Sequence, residues 1–420
     1  MAHQRHDVLV IGGGPAGSAA GFWLAKAGHH VCVVERKSFP RDKTCGDGLT
    51  PRAVHQLREM GLEPAIAAHH HRHDGLRAVA HGITLELRWP DHPVFPSYGY
   101  VVRRRDLDTL VAENAAAAGA TVLGATEALR PLVRDGLVTG AEVRDAETGE
   151  RRELHARYVI VADGSLSRFG RALGTSRNKA YPQGMAIRGY YASPASSDPW
   201  IESALDVHDR AGRSMPGYGW IFPLGDGTVN VGIGLLSTFR GYRDVNTSHL
   251  MAEWAATAPE RWGIDPDAIL APATGGRLPM AGSVDPKVGP NWLVVGDAAG
   301  SINPFNGEGI DYAYETARTA AWLIDEALRE GTARPLQRYT TLLDEEYGLY
   351  FKVARNFARI IGQPALMREL TRVGMRSRTL MEWVLRIMAN LLRDDEVGPA
   401  EAAYRAVARL ARAVPDPAPT

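Results

Sequence analysis

Four short runs of consecutive apolar residues, Val8 to Ile11, Val31 to Val34, Tyr158 to Ala162 and Trp292 to Val295, and the shorter strand Thr121 to Leu123 punctuate the chain. A run of this length without polar alternation reads as a strand buried on both faces. Between them the apolar positions recur at helical spacing, over Ser18 to Ala27, Pro51 to Met60, Arg104 to Ala118 and about Ile310 to Arg329. Pro51 stands in a first turn, and Gly119 follows the third helix as a C-cap. The segment 76–102 reads as short strands with turns, Leu85 to Trp89 alternating, and 137–144 with 152–154 reads as a hairpin around Glu147-Thr148-Gly149. Residues 183–240 alternate apolar and polar with many glycines and aromatics, which predicts a second, antiparallel sheet. From Leu336 onward the pattern is helical, closing in a proline-rich tail.

Strands of one sheet thus return at widely separated positions. The predicted fold class is α/β: a discontinuous Rossmann-like domain over 1–75, 100–180 and 275–330, with an antiparallel-sheet domain (76–99 and 181–274) inserted and a helical region at 331–420. No internal repeat is present.

The first strand runs straight into Gly12-Gly13-Gly14-Pro15-Ala16-Gly17, and the second ends at Glu35, 18 residues after Gly17. Strand, G-x-G-x-x-G, helix, strand and terminal acid in this order are the dinucleotide fingerprint. Gly12 permits the turn, Gly14 lets a pyrophosphate reach bare backbone, and Gly17 lets helix and strand pack closely. The pyrophosphate sits on the helix N-terminus, at Pro15 and Ala16, where the dipole favours negative charge. The Glu35 carboxylate is placed for a ribose diol, with Arg36 beside it. The motif specifies an ADP moiety and leaves FAD and NAD open.

Composition narrows the class. Hydrophobic residues make up 45%, and Lys+Arg equals Asp+Glu at 48 each, so neither a disordered chain nor a nucleic-acid footprint is indicated. Two cysteines make no disulfide framework, and Cys32 reads as a small core residue inside a strand. His69-His70-His71-Arg72-His73 lacks metal-site spacing and reads as a solvated loop, so no metal is expected. No apolar run is long enough to span a bilayer and no signal peptide precedes Asp7. The expectation is a cytoplasmic protein, at most peripheral at the inner face of the cell membrane. Overall neutrality hides an asymmetry: between Lys352 and Arg393 nine Lys/Arg face two acids, interleaved with apolar residues such as Phe357, Ile361, Leu366 and Leu380. Basic amphipathic helices of this kind suit contact with anionic headgroups, or else cap the substrate domain with a solvated face.

Three pieces together resemble the FAD-binding fold of the para-hydroxybenzoate hydroxylase type. They are the glycine fingerprint with Glu35, the Asp163-Gly164 turn, and Gly296-Asp297 followed by Pro304-Phe305-Asn306-Gly307-Glu308-Gly309-Ile310. The resemblance implies non-covalent FAD, with Asp297 toward its ribityl chain and the 304–310 turn bringing amides to the pyrimidine edge. Arg104, with Leu107 and Asp108, matches the arginine such folds place near the FAD pyrophosphate. Pro216-Gly217-Tyr218-Gly219-Trp220-Ile221-Phe222-Pro223 carries the signature of the geranylgeranyl reductase family, and Lys43-Thr44-Cys45-Gly46-Asp47-Gly48-Leu49 is similar to that family's cysteine loop beside the flavin. Within it the chain resembles the actinobacterial branch that includes menaquinone reductases, which saturate an isoprene unit of the quinone tail.

The implied reaction adds hydride and proton across an unactivated trisubstituted alkene. No carbonyl drains charge from such a bond, so the site needs an acid, an aromatic wall and little water. Cys45 is the leading candidate acid, or a small residue that lets the loop approach the flavin. Tyr218 is a second proton donor. Tyr218, Trp220 and Phe222 alternate along one strand and share a face, which lines a polyprenyl tunnel or packs on the core. No second nucleotide fingerprint is present, so NADPH docking transiently, ferredoxin or another carrier remain open as reductant. A monooxygenase or halogenase on the same fold is the competing reading; its tryptophan-rich motif would place tryptophan at 218 and isoleucine at 222.

Overall fold

A computed structural model describes residues 5–209, 212–237, 245–393, 395 and 398–415. The proline-rich tail beyond 415 and parts of the 183–240 segment lie outside these residues.

All five of these segments align as parallel strands, and the four apolar runs are covered on two faces. Val8 pairs with Val31 on one side and Tyr158 on the other, and Thr121–Leu123 lies beyond Val31–Val34. Trp292–Val294 pairs in parallel with the upper end of Arg151–Val161. Val8 and Val10 point into a core shared with helices Pro15–Lys26, Arg104–Ala117 and Ile310–Glu330, and Leu9 and Ile11 point into a second core with Cys32, Phe169 and Val294. Cys32 is fully buried there, its thiol pushed up to about 12 by desolvation.

The hairpin of the sequence reading is larger than expected. Its second arm runs on as one strand, Arg151–Val161, and its first arm, Leu137–Asp145, carries a further antiparallel strand, Thr126–Arg134. Pro131 hides that strand in the sequence. It is tolerated because this strand lies at the sheet edge and the ladder there shifts register.

The second sheet has seven strands in the order Thr274–Pro279, Gln183–Ala192, Thr228–Leu236, Gly217–Pro223, Trp200–Ala204, Gly75–Ala80, Ile83–Arg88. Thr274–Pro279 therefore belongs to this sheet, past the boundary at 275 read from the sequence. Helix Thr247–Ala256 covers its outer face: Trp254 Nε1 donates to the Trp220 carbonyl at 3.3 Å, and a Cβ on Gly219 would stand 2.5 Å from the Trp254 ring. The histidine cluster is not all solvated loop. His71–His73 forms a strand, His73 is fully buried beside Trp89, and desolvation pushes its imidazole down to about 3. Among the described residues no group of three His, Cys, Asp or Glu could hold a metal.

The C-terminal region folds into Leu349–Ile361, Pro364–Gly374, Arg378–Met388 and Pro399–Ala413. Among the described residues no helix is long and apolar enough to cross a membrane.

Candidate active site

The inner face of the second sheet, the glycine fingerprint and the C-terminal helices enclose one cavity of about 880 Å³. At its first end the backbone is bare for stated reasons. Gly12 has φ +103°, and a Cβ there would stand 2.4 Å from the Ala162 carbonyl oxygen. A Cβ on Gly17 would come within 1.7 Å of the Gly12 oxygen, so the helix can approach the turn only without a side chain there. Gly17 is thus a packing glycine and does not line the cavity, whereas Gly12, Gly14, Pro15 and Ala16 do. Above Gly14 the space is open except for Arg41 Nη2 at 3.6 Å from a built Cβ.

Glu35 closes its strand as expected. Its Oε2 accepts from the Gly13 amide at 3.0 Å and from Arg41 Nη2 at 3.2 Å. Arg36 is exposed at the rim. Arg41 also pairs with Asp108 at 3.0 Å, and its Nε is buried without a partner. An orphan donor over an open glycine turn suits an anionic phosphate oxygen. Asp163 spends both oxygens on its own turn, accepting from Ser167 Oγ at 2.6 Å and the Phe169 amide at 2.9 Å, while it and Gly164 line the cavity.

Farther along, Asp297 lines the wall from a short helical turn that begins at Gly296. Gly296 has φ +59° and lies behind it, against Ala16. Pro304, Gly307, Gly309 and Ile310 line the same stretch, and helix Ile310–Glu330 opens at Gly309 with no side-chain cap. Its first-turn amides are left for a ligand acceptor. These features together fit an FAD: bare turn and Arg41 for the pyrophosphate, Glu35 for the ribose, Asp297 for the ribityl chain, and uncapped amides for the pyrimidine edge.

The cysteine loop is held by a network built on Asp47, which is fully buried with φ +65°. Its Oδ2 accepts from Tyr190 at 2.6 Å and Asn230 Nδ2 at 2.8 Å, and its Oδ1 from the Arg104 amide at 3.2 Å. Asn230 Nδ2 also donates to the Cys45 carbonyl at 2.9 Å, and Asn230 Oδ1 accepts from Trp220 Nε1 at 2.9 Å. One asparagine thus sets the cysteine loop against the central ring of the signature. Desolvation pushes the Cys45 thiol up, opposed by the Arg104 guanidinium within hydrogen-bonding reach. Arg104 itself is clamped by Asp108 at 2.7 and 2.8 Å and lines the cavity at this point.

Tyr218, Trp220 and Phe222 do share a face, with successive centroids 5.9 and 6.2 Å apart, and all three line the cavity. Gly46 and Gly48 are glycines because of them: a Cβ on either would lie 3.0–3.2 Å from Phe222. Gly46 lines the cavity; Gly48 sits behind Phe222. The Tyr218 hydroxyl donates to the Asn306 carbonyl at 2.5 Å, and burial pushes its ionisation up, so its proton is engaged with backbone.

Beyond the rings the lining turns apolar and is contributed by the C-terminal helices, including Phe357, Ile361, Met367, Leu370, Leu380 and Val384. The basic stretch is less uniformly exposed than its sequence suggests. Arg355 is buried over Tyr181 and Arg386 pairs with Glu401, while Arg359, Arg368, Arg372 and Arg376 are exposed. Asp108 aside, the sequence reading missed the residues that fix the site: Arg41, Tyr190, Asn230 and the buried carboxylate of Asp47. The one signal available was Asp47 set between two glycines.

Residues 5–208 match the FAD binding domain family. Over 94% of each chain the sequence is 42% identical to a menaquinone reductase of Mycolicibacterium smegmatis. It is 33% identical to digeranylgeranylglycerophospholipid reductase 2 of Methanosphaera stadtmanae, covering 82% of this chain and 85% of that one. Among solved structures, a geranylgeranyl bacteriochlorophyll reductase-like protein from Thermoplasma acidophilum superposes with a TM-score of 0.77 at 23% identity, covering 96% and 99% of the two chains.

Proposed function

The chain belongs to the geranylgeranyl reductase family of FAD-dependent oxidoreductases, and on that premise we propose that it saturates an isoprenoid C=C bond in the tail of a prenylated quinone of the menaquinone type. The observation that carries this reading is the continuity of the cavity. It runs from the glycine turn, past Cys45 and the row Tyr218, Trp220 and Phe222, to an apolar end among the C-terminal helices. Bound FAD supplies the hydride. The chain's own part is to hold the alkene flat against three rings, exclude water and deliver a proton. Cys45 is the proton source: its thiol is kept neutral by burial, and Arg104 is placed to stabilise the thiolate left behind. Trp220, 5% exposed and braced by Asn230, offers a π face to positive character on the tertiary carbon.

The test is anaerobic turnover of the holoenzyme with excess dithionite on menaquinone, geranylgeranyl diphosphate and geranylgeranylated lipid, read by mass spectrometry. The expected product carries two added hydrogens on the menaquinone tail. Aerobic incorporation of oxygen or halide into an aromatic substrate, with no tail saturated, would instead establish the monooxygenase or halogenase reading. The same assay with NADPH or reduced ferredoxin in place of dithionite identifies the reductant.

The apolar mouth also supports contact with a membrane surface. Ile360, Leu366, Leu370, Val373 and Leu380 are 37–62% exposed there, and Arg359, Arg368, Arg372 and Arg376 surround them. Leu370 and Leu380 line the cavity as well, so the exposed patch and the substrate path are continuous. Flotation with anionic liposomes should recover the wild-type protein, and Leu366→Glu with Val373→Glu should cut recovery about tenfold or more, since burying one such side chain is worth about 1.5–3 kcal/mol. Wild-type protein absent from anionic liposomes at low salt would defeat the surface.

A further inference from the structure

Arg41, Arg52, Arg104 and Arg188 are arginines in or beside this cavity whose side chains are more than nine-tenths buried, and Arg188 differs from the other three. Arg41 pairs with Glu35 and Asp108. Arg104 is closed bidentately by Asp108 and Arg52 by Glu315. Arg188 is 3% exposed, lines the cavity, and makes no ion pair within 4.0 Å among the described residues. Its guanidinium stacks on Tyr190 with 4.4 Å to the ring centroid, and Nη2 reaches the Lys43 carbonyl only at 3.5 Å. Among the described residues its Nε is buried without a hydrogen-bond partner, as are those of Arg41 and Arg52, but Arg188 alone of these has no carboxylate on its other nitrogens. The Asp47 carboxylate acts on it only at longer range, its Oδ2 being taken by Tyr190 and Asn230. A buried guanidinium with idle donors on a cavity wall calls for an acceptor supplied by a ligand.

Its place in the sheet says which part of a ligand that is. Arg188 stands on the strand next to the edge strand Thr274–Pro279, in register with Thr274, whereas helix Arg378–Met388 packs on the opposite edge, Arg378 bonding the Glu86 carbonyl at 2.8 Å. Beside Arg188 the floor is Ala186 and Gly276, and a Cβ on Gly276 would meet only Thr44 at 3.9 Å. A flat ring has room there. We infer that Arg188 binds the carbonyl oxygen of the substrate's naphthoquinone ring, seating the polar head at this edge while the tail crosses the three rings and leaves by the apolar mouth. This rests on the prenyl-quinone reading above and adds orientation to it. A tail longer than the cavity trails outward, and the bond that meets the flavin is fixed by its distance from the head. Asp47 already acts on the guanidinium charge, which suits a neutral carbonyl; Lys43 and Arg277 also line the cavity, so a diphosphate is the alternative head that the pyrophosphate arm of the test decides.

The experiment uses holoenzyme with Arg188→Met and Arg188→Lys, FAD content being measured first. Binding of tail-less 2-methyl-1,4-naphthoquinone to the oxidised enzyme should weaken about tenfold to a hundredfold in the Met variant, the range for losing a hydrogen bond to a charged donor. The Lys variant, lacking the planar fork, should fall between. With menaquinone, KM should rise more than kcat falls, and saturation should spread from one isoprene position to several. With geranylgeraniol, which has no quinone, the kinetics should stay within twofold. Loss of FAD in both variants, equal losses on both substrates, or displacement of the naphthoquinone by millimolar inorganic pyrophosphate would overturn the assignment. Wild-type enzyme that binds the naphthoquinone through Arg188 yet saturates no prenyl chain would refute the functional reading and leave the subsite standing.

Discussion

Replacing Cys45 with alanine is expected to leave a folded, yellow protein whose prenyl turnover falls by about a hundredfold or more, the range for losing a positioned general acid. Alanine separates the two roles open to this residue. It preserves the small volume at 45 and leaves Gly46 and Gly48, which let the loop lie against Phe222 and Trp220, and it removes only the proton. The loop itself should stay, because it is held through the Cys45 backbone carbonyl and Asp47 rather than through sulfur. Dithionite should therefore reduce the variant's flavin at the wild-type rate while tail saturation is lost. Cys45→Ser should recover little, a hydroxyl being a far weaker acid than a thiol. Full activity in Cys45→Ala would make the residue a spacer and pass the proton to another group. Tyr218 is a poor heir, since its hydroxyl already donates to the Asn306 carbonyl and burial holds the proton on it.

The parts of this site that were legible in the sequence are those encoded within a few residues of one another. The glycine fingerprint and Glu35 lie within one βαβ unit, and the shared face of Tyr218, Trp220 and Phe222 follows from the two-residue period of a strand. What escaped is what joins distant segments. Asp47 meets Tyr190 across 143 residues and Asn230 across 183, and no local pattern announces either partner. Asn230 sits between Val229 and Val231 in a strand otherwise apolar or glycine but for Thr228, so its amide is visible as a functional group only once Trp220 and Cys45 are seen beside it. The same holds for the C-terminal helices. Their amphipathic pattern signals a buried face but not that Met367 and Leu380 bury it against a cavity. Charge counting failed for a related reason: Arg355 counts as surface charge until the fold lays it over Tyr181.

Behind the uncapped turn lies a cluster of buried acids around one cation, and Arg52→Met is expected to destabilise the protein by about 3–5 kcal/mol near neutral pH, the cost of leaving buried acids without their cation. Glu308, Asp311 and Glu315 converge there on one guanidinium. Arg52 Nη2 bonds Glu315 at 2.8 and 2.9 Å, its Nε lies 3.8 Å from Asp311, and its Nη1 donates to the Asn390 carbonyl at 3.1 Å. Tyr347 donates to Glu315 at 2.8 Å and the Thr50 hydroxyl donates to Glu308. Neither oxygen of Asp311 has a hydrogen-bond partner. Three carboxylates against one cation cannot all ionise out of water, so desolvation and mutual repulsion push Asp311 and Glu308 up, Glu308 to about 7 from 4.5. The sign for stability follows. A carboxyl that keeps its proton on folding stabilises the folded state fully below about 4.5, and that contribution is lost as pH rises through about 7. Wild-type stability should therefore decline across that window. The Arg52→Met penalty should be larger at about pH 8 than at about pH 5, because at the lower pH more of the orphaned acids are neutral. Urea unfolding at both values measures the difference directly. A penalty independent of pH would mean that Arg52 acts by packing on Phe95 and Tyr312, whose ring centroids lie 4.9 and 5.7 Å away, and not by charge. Because Glu308 and Asp311 flank the opening of helix Ile310–Glu330, their protons also keep negative charge away from the uncapped amides that would face a bound flavin. Loss of Arg52 should then weaken FAD binding as pH rises, in step with the loss of stability.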